Sequence, residues 1–232
     1  MKLFFLDYNK EGPGVEKNAP PKEGLELFFD IFAREFTSLV KLNILFIISC
    51  IPIITIGPAI GAMTSVTITM VQDKPSDLFY DFREAFKKNW KSSFLTSILL
   101  SIIILILLGS VIFYMRSDGL IYNVMISFTI VIIMLLGIST IYIYPMIVRI
   151  ELPLKVVLKN AFLLGVACIN HSFITLVLCL AILEGCILFA PFTLPIILLF
   201  TFSVISFITS FCAWSGIKKY IVNYENTNNS QE

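Results

Sequence analysis

The stretch "IPIITIGPAIGAM", residues 51–63, lies in the middle of an uncharged run that covers residues 42–72. A continuous helix over the whole run would measure about 46 Å at 1.5 Å per residue, whereas the hydrocarbon core of a bilayer is about 30 Å thick. In a membrane, the run would therefore form either one tilted span or two helices joined by a turn. The choice between these arrangements sets the topology of the chain.

The composition indicates a helical membrane protein. Of the 232 residues, 57% are hydrophobic and 14% are charged, whereas about 25% of the residues in a soluble domain are charged. The apolar residues form uncharged runs that are long enough to cross a bilayer, which takes about 20 residues in a helix. A transmembrane β-barrel would instead alternate apolar and polar residues in segments of about ten.

The distribution of basic residues favours two helices in the opening run. If residues 42–72 form one span, the chain crosses five times and the basic residues split seven to ten between the two sides. If they form a hairpin, the chain crosses six times, and sixteen of the seventeen basic residues share one side, with Arg116 opposite. The positive-inside rule favours the second arrangement. We therefore predict a hairpin with both termini in the cytoplasm; a re-entrant turn would give the same count.

The fold class that we predict is an all-α membrane protein with about six transmembrane helices in three hairpins, each introduced by an amphipathic cytoplasmic elbow helix. A cytoplasmic segment, 1–24, precedes a single helical membrane domain, 25–219, and a cytoplasmic tail, 220–232, follows it. The expected spans are 36–52, 58–72, 92–115, 120–148, 160–183 and 192–217.

The first predicted turn contains helix breakers, and a stripe of small residues follows it. Pro52 cannot donate a hydrogen bond within a helix, and Pro58 suits the first position of the next one. After the turn, Gly57, Gly61 and Ser65 recur every four residues on one helix face. Such a face lets two helix backbones approach closely in lipid, so we interpret it as a helix-packing surface.

The elbow helices carry basic residues that would face the cytoplasm. In "PSDLFYDFREAFKKNWKSS", residues 75–93, acidic residues come early and basic residues late, as the helix dipole favours. Attraction to anionic lipid and docking of a cytoplasmic partner both explain this pattern. The candidate contact residues are Arg83, Lys87, Lys88, Trp90, Lys155 and Lys159.

Three polar residues fall within or beside the predicted spans. We interpret Asn43 as a residue that hydrogen-bonds between helices. The single histidine, His171, is either a hydrogen-bonded packing residue or a functional group inside the membrane. Glu184 is either a wet carboxylate in the outer loop between the last two spans or an intramembrane acid.

The sequence contains none of the catalytic or cofactor motifs for which we searched. It has no glycine-rich phosphate loop, no H-E-x-x-H and no G-x-S-x-G. The five cysteines lie in apolar runs without a C-x-x-C pair, which is typical of packing residues. Cys168 and His171 are one turn apart, but two ligands do not make a zinc site. We therefore expect a protein that is not an enzyme, with no cofactor, no metal and no nucleic-acid partner.

Three segments that follow one another along roughly the first 95 residues resemble the YesL-like family of bacterial integral membrane proteins. They are "YNKEGPGVEKNAPPKEGLELFFDIFAREF", "KLNILFIISCIPIITIGPAIGAM" and "DFREAFKKNWKSS". The resemblance implies a Gram-positive plasma-membrane protein, whose gene accompanies genes for sugar import and polysaccharide degradation. It implies an accessory or regulatory role in carbohydrate uptake, with sugar-importer subunits as partners beside the lipid bilayer. The alternative function is a small-solute transporter or permease in its own right.

Overall fold

The computed structural model describes residues 24–150, 152–190 and 192–222, which form helices and short connections without a strand. The predicted segment 1–24 lies outside the described residues except for Gly24, and the tail 220–232 lies outside them after residue 222. The helices, numbered in chain order, are α1 (Gly24–Arg34), α2 (Phe36–Ser49), α3 (Ile56–Val71), α4 (Leu78–Lys88), α5 (Trp90–Met115), α6 (Leu120–Arg149), α7 (Leu154–Ala167), α8 (Ile169–Leu188), α9 (Leu194–Ile196) and α10 (Phe202–Ile217). A 3-10 turn covers Ile53–Thr55, and π-helical segments cover Ile197–Thr201 and Lys218–Val222.

Five helical segments are apolar and long enough to span a membrane. They are Ile53–Val71, Trp90–Met115, Leu120–Arg149, Ile169–Leu188 and Leu194–Tyr220. α2 is also apolar, but its 14 residues extend over only about 21 Å. The prediction of an all-helical membrane protein is therefore confirmed for the described residues, whereas the count of six full spans and the elbow helices stay predictions.

The fifth predicted span differs from the helices in this region. α7 ends at Ala167 and α8 runs from Ile169 to Leu188, so a break at Cys168 falls inside the predicted span of 160–183. Cys168 leaves helical geometry with φ −107° and ψ 31°. Glu184 consequently lies in the last turn and a half of α8 rather than in the connection that follows it.

α3 is the central helix of the described structure. Twelve of its 16 residues are buried, and it packs against α2, α4, α5, α6 and α10. Glycine, alanine and threonine account for much of this buried surface, so neighbouring backbones can approach closely. α5 is the opposite case, because only 6% of its apolar window is buried within the protein.

Two apolar clusters hold the helices together. The first joins α1, α2, α3, α4 and α10, and in it the ring of Phe28 lies 5.2 Å from that of Phe207 and 5.3 Å from that of Phe211. The second joins α5, α6, α7 and α10 around Tyr142 and Met146, which are both fully buried. Because α10 contributes to both clusters, it ties the N-terminal helices to the rest of the chain.

Candidate functional site

α4 is a short amphipathic helix. A capping residue stabilises its N-terminus, and two buried residues pack it against the rest of the protein. The Asp77 carboxylate accepts a hydrogen bond of 3.2 Å from the backbone N–H of Tyr80, as an N-cap residue does. On the inner face of α4, Phe82 and Ala85 are buried in the cluster that includes α3. These contacts fix the orientation of the helix, and therefore of the face opposite.

The opposite face of α4 combines aromatic and basic side chains with one exposed acid, Glu84. Phe79, Arg83 and Lys87 follow each other at intervals of four residues and are exposed, and Tyr80 is exposed beside them. We call these four residues the α4 surface. Lys88 is also exposed but has an interaction within the protein. The α4 surface is thus a fixed patch with two outward cations.

Trp90 and the two lysines of α7 belong to helices other than α4. Trp90 begins α5 and packs edge-on against Phe86, with ring centroids 5.1 Å apart. Lys155 and Lys159 are exposed on α7, whose buried face packs against α6. The six residues predicted to contact a partner or lipid therefore form two groups on different helices, while the indole of Trp90 packs within the protein.

Asp81 lies at the edge of the α4 inner face, where its charge is disfavoured. Burial raises the pKa of its carboxyl, and the neighbouring carboxylates of Asp77 and Glu84 raise it further. The positive charge of Arg149 acts in the opposite direction. The carboxyl group of Asp81 on α4 therefore interacts electrostatically with Arg149, the last residue of α6.

The predicted small-residue face of α3 packs against α5. A Cβ atom added to Gly57 would lie 2.7 Å from the backbone carbonyl oxygen of Ser93, and one added to Gly61 would lie 3.2 Å from the Cβ atom of the same serine. Gly57 also meets the hydroxyl of Ser97. Both contacts leave no room for a larger side chain. Ser65, the third residue of the face, is half-buried.

Arg149 joins the end of α6 to α3. Its Nη2 donates a hydrogen bond of 2.7 Å to the hydroxyl of Thr69 and one of 3.4 Å to the carbonyl oxygen of Ser65. In the sequence, Arg149 is one of the basic residues that indicate the cytoplasmic side. The spacing of Ser65 and Thr69, which extends the small-residue stripe of Gly57 and Gly61 towards the end of α3, is the pattern that precedes this contact.

Asn43 is fully buried and makes three hydrogen bonds to the last membrane helix. Its amide nitrogen donates to the carbonyl oxygens of Ile197 and Leu198 at 3.0 Å and 2.8 Å, and its amide oxygen accepts from the N–H of Ser203 at 3.0 Å. The acceptors lie in the π-helical turn Ile197–Thr201, where the helical ladder is interrupted. The Asn43 amide therefore joins α2 to this turn and to the start of α10.

A second buried polar contact joins α3 to α10. The hydroxyl of Thr67 lies 2.7 Å from that of Ser210 and 3.2 Å from that of Ser206. All three side chains are buried. Sequence reasoning did not single out these residues, because hydroxyl side chains are common in transmembrane helices and also bond to their own backbone.

His171 and Glu184 do not join these buried contacts. Both are exposed on α8, and their separation of 13 positions corresponds to about 20 Å along the helix. The buried neighbour of His171 is Ser172, whose hydroxyl lies 2.7 Å from that of Tyr142. The structure therefore does not bring Asn43, His171 and Glu184 together into one site.

Two apolar grooves in the described structure open to the outside. One, of about 610 Å³, lies between α6 and α8, and the other, of about 470 Å³, lies beside the α2–α3 turn. Asn170 is the only polar side chain lining the first of them. Among the described residues, no group of three or more His, Cys, Asp or Glu side chains could hold a metal ion.

These features define a helical membrane protein in which Asn43, Thr67 and Arg149 make side-chain hydrogen bonds between helices. Residues 39–111 match the family model described as "Protein of unknown function, DUF624". The match begins within α2 and ends within α5, and it includes α3 and the α4 surface. No curated protein and no solved structure matches the chain.

Proposed function

We propose that this chain is a non-enzymatic, multi-pass plasma-membrane protein of the YesL-like group that acts as an accessory or regulatory protein in carbohydrate uptake. YesL-like proteins are DUF624 members, and the DUF624 match over residues 39–111 supports the resemblance. In a hairpin topology, sixteen of the seventeen basic residues lie on the side of the termini and one lies opposite, which supports cytoplasmic termini. The proposed partner is a cytoplasmic subunit of a sugar importer.

The observation that carries this proposal is the α4 surface. Burial of Phe82 and Ala85 attaches α4 to α3, so Phe79, Arg83 and Lys87 project from a helix that is already in place. A preorganised surface loses less conformational entropy on binding than a flexible one does. The two cations suit an acidic patch on a partner, and the exposed aromatic ring of Phe79 adds an apolar anchor.

Transport by this chain alone has weaker support. A substrate site needs polar groups that converge on a cavity. Asn43 instead bonds to the π-helical turn and to α10, and His171 and Glu184 are exposed on α8. The two grooves are lined almost entirely by apolar side chains. These positions support an accessory role over a substrate pathway built from the three residues.

The test is crosslinking mass spectrometry on the full chain in its native membranes. We expect crosslinks between the lysines near α4 and a cytoplasmic importer subunit. The double variant Arg83→Glu and Lys87→Glu should lower recovery of that subunit at least tenfold, because it places two acids against an acidic patch. The matched control is Lys155→Glu with Lys159→Glu on α7, which should leave recovery unchanged.

Two results would reject the proposal. One is the absence of importer subunits among the crosslinked proteins, together with unchanged sugar uptake in a deletion strain. The other is equal recovery of the subunit with the α4 and α7 double variants, since attraction to anionic lipid would then account for both groups of basic residues. Solute movement by the purified chain in liposomes would favour the transporter instead.

A further inference from the structure

The tip of the α2–α3 hairpin, residues 48–56, is an exposed apolar surface. Ile51 and Ile53 are 77% and 83% exposed, and Ile48 and Ile54 are also exposed. No charged residue occurs anywhere between positions 42 and 72. The same tip borders the apolar groove of about 470 Å³. Such a surface is unfavourable in water and suits hydrocarbon.

The packing of α3 on α5 gives the position of the tip along the bundle. Gly57, next to the tip, meets Ser97, and Gly61 meets Ser93 one turn away, so the two helices run antiparallel in contact. Ser97 lies seven residues from the start of α5 at Trp90, or about 10 Å. It lies eighteen residues from the end of α5 at Met115, or about 27 Å.

The part of α5 beyond this contact requires a hydrocarbon environment. Residues 98–115 carry no charge, and the apolar window of α5 is only 6% buried within the protein. If the tip lay at the outer membrane surface, about 27 Å of exposed apolar helix would extend past it into water. The tip must therefore lie below the outer surface, at the depth of Ser97.

Internal hydrogen bonds satisfy part of the backbone at the tip, which lowers the cost of placing a turn in hydrocarbon. The N–H of Cys50 donates to the carbonyl of Phe46 at 3.0 Å, and the N–H of Thr55 donates to that of Pro52 at 3.0 Å. The hydroxyl of Thr55 also bonds to the carbonyl oxygen of Ser49. Pro52 has no N–H to satisfy.

We propose that α2 and α3 form a re-entrant hairpin, whose tip lies among the lipid acyl chains of the leaflet on the side of α4. The tip is a lipid-binding surface, and the hairpin enters and leaves the membrane on one side. Four segments then cross the bilayer: α5, α6, the α7–α8 pair and the last helix with α10. The charge bias is unchanged, because a re-entrant hairpin and a full hairpin leave the termini on the same side.

The depth of the tip can be measured against α5 itself. The native cysteines are first replaced by alanine. Single cysteines are then introduced at Ile53, Leu95, Ile102 and Ile112, and each variant is spin-labelled and reconstituted in liposomes. The relative accessibility of each nitroxide to oxygen and to a nickel chelate reports its depth. We expect the label of Ile53→Cys to lie between those of Leu95→Cys and Ile102→Cys. A depth outside that interval would overturn the proposal.

Cysteine labelling of intact cells tests whether the tip reaches the outer membrane surface. This experiment does not need the cysteine-free background. A membrane-impermeant maleimide added outside should modify Ser117→Cys in the loop between α5 and α6, and should leave Ile53→Cys at the level of the native chain. Modification of Ile53→Cys equal to that of Ser117→Cys would place the tip at the outer surface and refute the re-entrant hairpin. The outcome is independent of any importer partner.

Discussion

Replacing Asn43 with leucine tests how far the last membrane helix depends on one buried amide. The two side chains have similar shape and volume, so the change removes hydrogen bonds while creating little new cavity. It leaves the carbonyl oxygens of Ile197 and Leu198 and the N–H of Ser203 without their side-chain partner. We expect the variant to lose stability in proportion to these three bonds.

The magnitude follows from the energy of hydrogen bonds in lipid. Interhelical hydrogen bonds contribute about 0.6 kcal/mol each on average and about 1.7 kcal/mol at most. Three of them give about 2 kcal/mol, with an upper bound of about 5 kcal/mol. The lower figure is the expectation, because the π-helical turn Ile197–Thr201 can relax and recover some backbone bonds. A loss of about 2 kcal/mol lowers the folded-to-unfolded ratio roughly 30-fold.

The assay is equilibrium unfolding in mixed micelles, followed by tryptophan fluorescence, because Trp214 borders both apolar clusters. The matched control is Asn123→Leu, since Asn123 is exposed on α6 and its change should stay within about 0.5 kcal/mol. If Asn43→Leu also stays within that limit, the three hydrogen bonds do not stabilise the last helix and the reasoning fails.

The same assay checks three further predictions. Gly57→Ala should lower the stability by about 1–3 kcal/mol, because the new methyl group meets the backbone of α5. The control is Gly109→Ala, where nothing lies within 4 Å of the new methyl group, and this change should be neutral or stabilising. Equal effects of the two changes would contradict the close packing of α3 on α5. Phe82→Ala should cost about 3 kcal/mol and expose α4 to proteases, whereas the exposed Phe79→Ala should do neither. Arg149→Met should cost about 1–2 kcal/mol by removing its bond to α3, and an unchanged midpoint would show that this bond contributes nothing.

The α5–α6 hairpin was predicted closely from the sequence. The expected spans 92–115 and 120–148 correspond to Trp90–Met115 and Leu120–Arg149. The loop between them carries charge and glycine, so composition changes where the helices end. Gly119 adopts φ 136°, which favours glycine at that position.

The break at Cys168 and the π-helical turn at Ile197–Thr201 had no comparable pattern. Neither glycine nor proline occurs at Cys168 or within Ile197–Thr201. Tertiary contacts occur at both places: Cys168 packs near Gly216 of α10, and Asn43 donates hydrogen bonds to two carbonyl oxygens of the turn. Contacts between residues more than 40 positions apart leave little trace in local composition.

The candidate site was predicted in part. The spacing of Gly57 and Gly61 predicts a close helix contact, although the partner serines of α5, Ser93 and Ser97, were not recognised despite the same spacing of four. The exposed bases of α4 follow from its amphipathic pattern. The role of Arg149 could not be predicted, because a single arginine at the end of an apolar run is also the usual topological charge.

The boundaries of the DUF624 match are not those of a folding unit. The match covers residues 39–111, yet Asn43 bonds to the π-helical turn and to α10, Thr67 bonds to α10, and Thr69 bonds to α6. A fragment that ends before α6 would expose these groups, and the side of the first apolar cluster that packs against α10, to lipid or detergent. We therefore expect residues 1–118 alone to aggregate in detergent and to become monodisperse when co-expressed with residues 119–232, as size-exclusion chromatography would show. A monodisperse fragment with the unfolding midpoint of the full chain would mean that α10 contributes nothing to the folding of α2 and α3, against the hydrogen bonds that join them.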